Sequence, residues 1–224
     1  MRQIENLPTQ SGDKPQKDVV ITDCGQFTGE EAENADQRAP DATGDPYEDF
    51  PEDAKTEDQV FTAAEIVKIA SEIKEFGNKA FKEGNLSLGL EKYQKGLRYL
   101  NEDPDLKNEP EETKKTLNAL RFTLNSNSAL LSNKLKSYDE ASRYATNALE
   151  VPDISDADKG KALYRRAVAQ IGLKDEDAAL ADLEKASKLV PGDAAITKEL
   201  ASVKKMMHER AKKEKAAYSK FFTS

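Results

Sequence analysis

Five side chains in this sequence have the types and the spacing of a binding site for an anion. Lys74 and Asn78 are four residues apart, as are Lys161 and Arg165, and Asn127 lies between the two pairs. A separation of four places both members of a pair on one face of a helix. Lysine and arginine attract a carboxylate, and asparagine amides add neutral donors. Asparagine costs roughly 0.5 kcal/mol relative to alanine inside a helix, so two of them there indicate a use beyond folding.

Any one of these residues alone is typical of an ordinary solvated helix position, and only the five together favour a site. Residues for catalysis are hard to find, because the single histidine, His208, follows Met206 and Met207 in a run typical of surface and packing. The sequence shows no glycine-rich phosphate loop, no metal-spaced Cys/His set and no nucleophile–base pair. The acidic residues at 45–53 lack the glycine and the final glutamate of a calcium loop. We therefore expect no catalytic residue, no metal and no cofactor.

The elements that must position the five side chains are predicted by an internal repeat. Residues that are small or aliphatic, except for one tyrosine, recur at spacings of twelve, four and three in three copies: Gly77, Gly89, Tyr93 and Gly96; Ala129, Ala141, Ala145 and Ala148; and Ala167, Ala179, Leu183 and Ala186. Small residues at such points let two helices cross closely. A helix pair of roughly 30 residues cannot bury its own apolar face, so stacked copies are needed. The pattern indicates tetratricopeptide repeats.

We predict an all-α fold of three helix-turn-helix pairs at about 63–100, 112–150 and 156–190, followed by a long capping helix that runs to about Phe221. The apolar stripe of the capping helix is Ile196, Leu200, Val203, Met207, Tyr218 and Phe221. Such a helix covers the apolar face that a terminal repeat leaves open. The first helices of the pairs should line one concave surface that carries all five candidate side chains.

The charge distribution separates an acidic leader from the helical body. Residues 1–60 hold sixteen acids and five bases, although the whole chain has a net charge of only −8. Within them, residues 27–60 hold twelve acids and two bases with few aliphatics, which predicts a flexible, solvated acidic linker. One cysteine, Cys24, excludes an internal disulfide and fits a reducing compartment. Since no apolar run or signal peptide is evident, we expect a soluble, cytoplasmic protein.

The leader begins with residues 1–26, which do not belong to the repeats. The β-branched run at 19–22 predicts a strand, although no partner strand is evident in this chain. Arg2-Gln3-Ile4-Glu5, Pro15 and Val20-Ile21-Thr22-Asp23-Cys24-Gly25 resemble the end of the cyclophilin prolyl-isomerase domain. That resemblance implies a remnant of the domain, whose catalytic arginine and aromatic neighbours would lie upstream. The alternative is a disordered leader with one chance strand.

The candidate site carries a second resemblance. Lys74-Glu75-Phe76-Gly77-Asn78, Ser126-Asn127-Ser128-Ala129 and Lys161-Ala162-Leu163-Tyr164-Arg165-Arg166 resemble the dicarboxylate clamp of co-chaperone tetratricopeptide domains. In that family the clamp holds the C-terminal Glu-Glu-Val-Asp tail of heat-shock protein 90, or in some members the similar tail of heat-shock protein 70. The resemblance implies a clamp of Lys74, Asn78, Asn127, Lys161 and Arg165. Asn125 is a nearby alternative, but only Asn127 precedes a small repeat residue by two, as Arg165 does.

The end of the chain, residues 213–222, resembles the charged-then-tyrosine ending of large immunophilins. Together the resemblances indicate a cyclophilin-40-type immunophilin co-chaperone that retains only the tail of the cyclophilin domain. The implied domains are a cyclophilin remnant at 1–26, an acidic linker at 27–60, three tetratricopeptide repeats at 61–191 and a capping helix at 192–224. The glycines at 89 and 96 replace the usual alanines, which predicts a less rigid first pair.

Three functions remain open at this point. The first is a co-chaperone adaptor that binds a chaperone tail, with the preference between the two chaperones undecided. The alternative is peptidyl-prolyl isomerisation, which the resemblance assigns to the intact protein and which we do not expect from this chain. In the third, the basic residues of the capping helix bind calmodulin or a nucleic acid. Acids interleave with these bases, as on an ordinary solvated helix, so we expect neither a nucleic-acid nor a membrane partner.

Overall fold

The computed structural model of the chain describes residues 7–10, 14–26, 28–29, 43–54, 60–102, 104, 106–107 and 109–222, with the side chains of the last helix described to residue 215. The chain divides into two compact units, Met1–Ala39 and Pro40–Ser224. In the first, Thr9 and Pro15 form an isolated antiparallel bridge. The second contains the helices.

The strand predicted at residues 19–22 is not formed. Val20 and Ile21 are 72% and 85% exposed, and no described residue pairs with them. A strand is stabilised by the ladder of hydrogen bonds to its neighbour, so a β-branched run without a neighbour does not form one. The prediction of a strand is therefore wrong. Residues 2–5, which also carry the resemblance to the cyclophilin domain, lie outside the described residues.

The second unit is built from α-helices. In chain order they are α1 (Ala63–Lys82), α2 (Leu86–Leu100), α3 (Glu111–Lys134), α4 (Tyr138–Glu150), α5 (Asp156–Gly172), α6 (Glu176–Leu189) and α7 (Ala194–Phe222). Consecutive helices pack together as three pairs, and α7 packs on α6. The predicted all-α fold of three pairs and a capping helix is confirmed, with no strand among the described residues. None of the helices in this part of the chain is both long and apolar enough to cross a lipid bilayer.

Short polar residues cap five of the seven α-helices. Thr62, Asn85, Ser155, Asp175 and Asp193 each accept a hydrogen bond from the backbone N–H three residues further on. These caps satisfy a donor that has no partner within the helix, which stabilises each helix by about 1 kcal/mol. Lys174, with φ of 64°, adopts the left-handed conformation that turns the chain from α5 to α6.

The repeated small residues are the points at which the helices touch. All twelve are buried, and the alanines at these positions are 0% exposed. A Cβ atom on Gly96 would lie 2.8 Å from Leu124 Cδ1. The glycine in place of the usual alanine therefore permits close packing of α2 on α3, which explains why this repeat tolerates a residue that disfavours helices.

The first part of α7 caps the third pair, as its apolar stripe predicts. Ile196 and Val203 are 4% and 0% exposed and join a cluster with Leu183 of α6. Arg210 on α7 pairs with Glu176 at the start of α6. The side chains of residues 218 and 221, the last members of the predicted stripe, lie outside the described residues.

Val203→Ala should therefore destabilise the whole array. The substitution removes two buried methyl groups from the interface between α6 and α7, at a cost of about 2 kcal/mol in the free energy of unfolding. Denaturant unfolding followed by circular dichroism measures it. Lys205→Ala, at an exposed position of the same helix, is the control and should unfold like the wild type. Equal stabilities of Val203→Ala and wild type would contradict the capping role.

Residues 43–53, here called the strap, pack against the first pair. Asp45 is 0% exposed, and its Oδ2 lies 2.6 Å from Lys92 Nζ and 2.7 Å from Lys95 Nζ on α2. The hydroxyl of Tyr99 donates to the Glu48 carbonyl at 2.9 Å. The prediction that residues 27–60 form a flexible, solvated linker is therefore wrong for the strap, because buried lysines and aromatic contacts hold it. Most other residues of that range lie outside the described residues.

Candidate functional site

The first helices of the three pairs form one continuous layer, because α3 packs against both α1 and α5. All five candidate side chains lie on these helices: Lys74 and Asn78 on α1, Asn127 on α3, and Lys161 and Arg165 on α5. The spacing of four keeps each pair on one helix face. The fold thus brings residues that are up to 91 positions apart in sequence onto three adjacent helices.

Tyr93, on α2, is the point at which three of the candidates meet. Its hydroxyl donates to Asn78 Oδ1 at 2.8 Å. Although burial has the larger effect, Asn127, as a hydrogen-bond donor, and the charge of Arg165 both lie close enough to lower the pKa of this hydroxyl. Burial raises the pKa of Tyr93 above its usual value, so the hydroxyl remains protonated and able to donate at neutral pH. One candidate from each of α1, α3 and α5 therefore converges on this hydroxyl.

Arg165 is a buried cation that has no acidic partner in the described part of the chain. It is 9% exposed, and its Nη1 donates to Ser126 Oγ at 2.5 Å. No carboxylate lies within salt-bridge distance of it among the described residues. Burial lowers the pKa of Arg165 to about 10, and the nearby Tyr93 only partly opposes this. The guanidinium is still charged at neutral pH, so the site holds a positive charge that an anion would neutralise.

The two lysines place further positive charge beside these groups. Burial lowers the pKa of Lys161, and repulsion from Arg165 one turn away lowers it further, partly opposed by Asp158. Within the described part of the chain, Lys161 makes no salt bridge. Like charges one helical turn apart repel each other, and an anion bound between them would offset that repulsion. The site is therefore electrostatically suited to an acidic ligand.

Glu75 occupies the donors of the first helix. Its carboxylate lies 3.2 Å from Lys74 Nζ and accepts a hydrogen bond of 3.2 Å from Asn78 Nδ2. The hydrogen bond from Asn78 lowers the pKa of Glu75, partly opposed by burial and assisted by Lys74. The Glu75 side chain is 65% exposed, so it can move aside. A carboxylate thus already contacts two of the five candidate side chains.

The arrangement suits binding of a carboxylate more than catalysis. Three cations and two amides lie on the layer formed by α1, α3 and α5, and the two acids near them, Glu75 and Asp158, already hydrogen-bond other side chains. His208 is exposed on α7, a helix that carries none of the five candidate residues. The described residues contain no cluster of three or more His, Cys, Asp or Glu side chains that would hold a metal ion.

Sequence reasoning did not single out three residues of this site. Tyr93 was noted only as a repeat position, where the other copies have Ala145 and Leu183, and this difference was the available signal. Nothing in the sequence marks Ser126 and Glu75 as site residues except that each lies next to a candidate residue. Asn125, the alternative to Asn127, is 7% exposed and donates to the Arg121 carbonyl within its own helix.

No protein-family model matches the chain. It is similar over 99% of its length to peptidyl-prolyl cis-trans isomerase D of Cryptococcus neoformans, with 40% identity over 232 residues. The chain covers 61% of that relative, so it spans about three fifths of the length of such a protein.

Two solved structures share the fold of the helices. The C-terminal tetratricopeptide-repeat domain of an FK506-binding protein of Plasmodium falciparum is 25% identical, with a TM-score of 0.59 over 68% of this chain and 97% of that domain. The first tetratricopeptide-repeat domain of Spaghetti, solved with the heat-shock protein 90 peptide SRMEEVD, is 25% identical, with a TM-score of 0.50 over 63% of this chain and 95% of that one. The chain is thus a tetratricopeptide-repeat protein that resembles peptidyl-prolyl cis-trans isomerase D along its whole length.

Proposed function

We propose that the chain is a co-chaperone adaptor that binds the C-terminal Glu-Glu-Val-Asp tail of heat-shock protein 90 or 70. Lys74, Asn78, Asn127, Lys161 and Arg165 form the clamp for its carboxylates. The observation that carries the proposal is Arg165, a buried guanidinium without an acidic partner among the described residues. A buried charge is costly unless it is paired. A ligand carboxylate would supply the missing charge.

Two further observations support the proposal. Asn78, Asn127 and Arg165, one from each of α1, α3 and α5, lie near the Tyr93 hydroxyl, so their donors can act on the same ligand carboxylate. The domain of Spaghetti, which resembles these helices, was solved with a peptide that ends in Glu-Glu-Val-Asp. Charged hydrogen bonds of this kind are shorter and about twice as strong as neutral ones.

The other predictions for the chain remain proposals. We propose that residues 1–26 correspond to the end of a cyclophilin domain, that residues 61–191 form the repeats and that residues 192–224 form the cap. We propose a linker at 27–60, except for the strap at 43–53, which packs against the first pair. The isomerase activity in the name of the relative is likewise a proposal for this chain. An assay of prolyl isomerisation tests it, and we expect no turnover. We also propose a cytoplasmic location, which imaging of a tagged protein tests.

Calorimetric titration with the peptide SRMEEVD tests the proposed function. We expect micromolar binding of the peptide with a free C-terminus and a large loss when the terminus is amidated, because amidation removes the terminal charge. A peptide from the tail of heat-shock protein 70, titrated in parallel, gives the preference between the chaperones. Equal binding of free and amidated peptides would exclude the clamp and favour a contact with the basic capping helix.

Glu75→Gln should strengthen peptide binding. The ionised carboxylate of Glu75 competes with the ligand for Lys74 and Asn78, and an exposed ion pair of this kind contributes at most about 1 kcal/mol. We therefore expect the Kd to fall by up to about fivefold. Glu83→Gln, at an exposed position just after α1, is the control with the same change of charge. A Kd for Glu75→Gln equal to that of the control would show that Glu75 does not compete.

A further inference from the structure

The side chains around Tyr93 form a chain of hydrogen bonds whose direction is fixed at one end. Glu75, held ionised by its hydrogen bond from Asn78 and by Lys74, can only accept hydrogen bonds. The atom of Asn78 that contacts it must therefore be the amide nitrogen, as observed at 3.2 Å. It follows that Oδ1 is the atom of Asn78 that faces Tyr93.

The rest of the chain follows from this orientation. Because Asn78 Oδ1 can only accept, the Tyr93 hydroxyl must donate its proton there, over 2.8 Å. The Tyr93 oxygen then has only acceptor capacity left, so Asn127 meets it with its amide nitrogen. The Asn78 amide is therefore held at both ends, its nitrogen by Glu75 and its oxygen by the Tyr93 hydroxyl, and the same hydroxyl sets the Asn127 amide with its nitrogen in the donating position.

The tyrosine ring itself is held rigidly. Tyr93 is 2% exposed, and its ring lies directly on the backbone of Gly77. A Cβ atom at residue 77 would lie 2.5 Å from Tyr93 Cε1. Only glycine at residue 77 lets the ring lie there, so the hydroxyl has a fixed place between α1 and α3. A rigid ring with two χ angles positions a polar group at little cost in entropy.

We infer that Tyr93 is a positioning residue of the clamp, which turns the amides of Asn78 and Asn127 so that their N–H groups face the carboxylate of an acidic peptide terminus. This inference rests on the proposed function and extends it to a residue on a second helix of the first pair. Without the hydroxyl, the Asn127 amide loses the acceptor that orients it, and the Asn78 amide can turn its oxygen toward the anion once the ligand displaces Glu75, which weakens binding. Tyr93 contacts the asparagines and acts on the ligand through them.

Tyr93→Phe tests the inference, because it removes the hydroxyl and keeps the ring. We expect the Kd for the peptide SRMEEVD to rise by about 3- to 10-fold, with the thermal midpoint close to that of the wild type. In the Asn78→Ala background the same substitution should raise the Kd by a clearly smaller factor, since one of its targets is gone. Tyr144→Phe is the matched control: Tyr144 is also buried, and its hydroxyl accepts from Gln94. It should bind like the wild type.

The outcomes separate the inference from the proposed function. If the wild type does not bind the free-carboxylate peptide, both are overturned. If the wild type binds and Tyr93→Phe binds equally well, or loses the same factor with and without Asn78, the clamp stands and the role of Tyr93 is overturned. The side-chain amide resonances of Asn78 and Asn127 in the free protein give a reading without ligand. They should shift in Tyr93→Phe and not in Tyr144→Phe, and unchanged resonances would also overturn the inference.

Discussion

Replacing Arg165 with alanine should abolish binding of a tail peptide at micromolar concentrations and leave the protein folded. Removing one partner of a buried charged hydrogen bond at an interface costs about 2–5 kcal/mol, or roughly 30-fold or more in affinity. The free protein has no described carboxylate paired with Arg165, so the substitution leaves no opposite charge unpaired. We therefore expect helicity and the thermal midpoint to remain close to those of the wild type.

Lys161→Ala should behave in the same way, because its ammonium contributes charge to the same anion. Lys174→Ala is the control: it removes a lysine from the exposed turn between α5 and α6 and should bind normally. Calorimetry of the three variants against a peptide with a free C-terminus measures the effect. If Arg165→Ala bound the peptide with wild-type affinity, the five candidate residues would not form a clamp, even though the fold is correct.

The fold was predictable because its signal is repeated. A spacing of twelve, four and three occurs three times, and each occurrence marks a crossing of two helices at which most of the residues are small. The candidate site was partly predictable for a related reason. Pairs such as Lys161 and Arg165, four apart on a first helix, share a face whatever the exact packing. These predictions needed only local periodicity and the order of the helices.

The strap was not predictable in this way, because its contacts are long-range and occur once. Asp45 is 47 and 50 residues from Lys92 and Lys95, and an acidic segment with few aliphatics favours a linker. The available signal lay on α2, where the spacing of Lys92, Lys95 and Tyr99 places all three on one helical face. The role of Tyr93 depends on hydrogen bonds between helices, which periodicity does not reveal.

Replacing Asp45 with asparagine should release the strap and lower the free energy of unfolding by about 3 kcal/mol. The carboxylate is fully buried against Lys92 and Lys95, each with a side-chain exposure of 1%. Asparagine has nearly the same shape, but it leaves two ammonium groups beside a neutral amide. Since ammonium ions are strongly hydrated, they are more stable in water, and the strap undocks to expose them.

The pH dependence of stability should identify the same contact. Burial disfavours the ionised form of Asp45, but the hydrogen bonds from Lys92, Lys95 and the Tyr47 amide outweigh it, and the pKa lies below the usual 3.8. A depressed pKa contributes stability that is fully present above the unfolded-state value and is lost as the pH falls through the folded-state value. The difference between wild type and Asp45→Asn should therefore be constant near neutral pH and shrink below about pH 4.

Two measurements check this prediction. Denaturant unfolding gives the loss of stability, and amide exchange at Tyr47 reports the strap, because that amide donates to Asp45 Oδ1 at 3.0 Å and should exchange quickly once the strap undocks. Asp49→Asn is the matched control. Its carboxylate is 47% exposed and 3.5 Å from Lys95 Nζ, so its loss should cost less than about 1 kcal/mol. If Asp45→Asn unfolds like Asp49→Asn and keeps the Tyr47 amide protected, the buried lysines do not depend on Asp45.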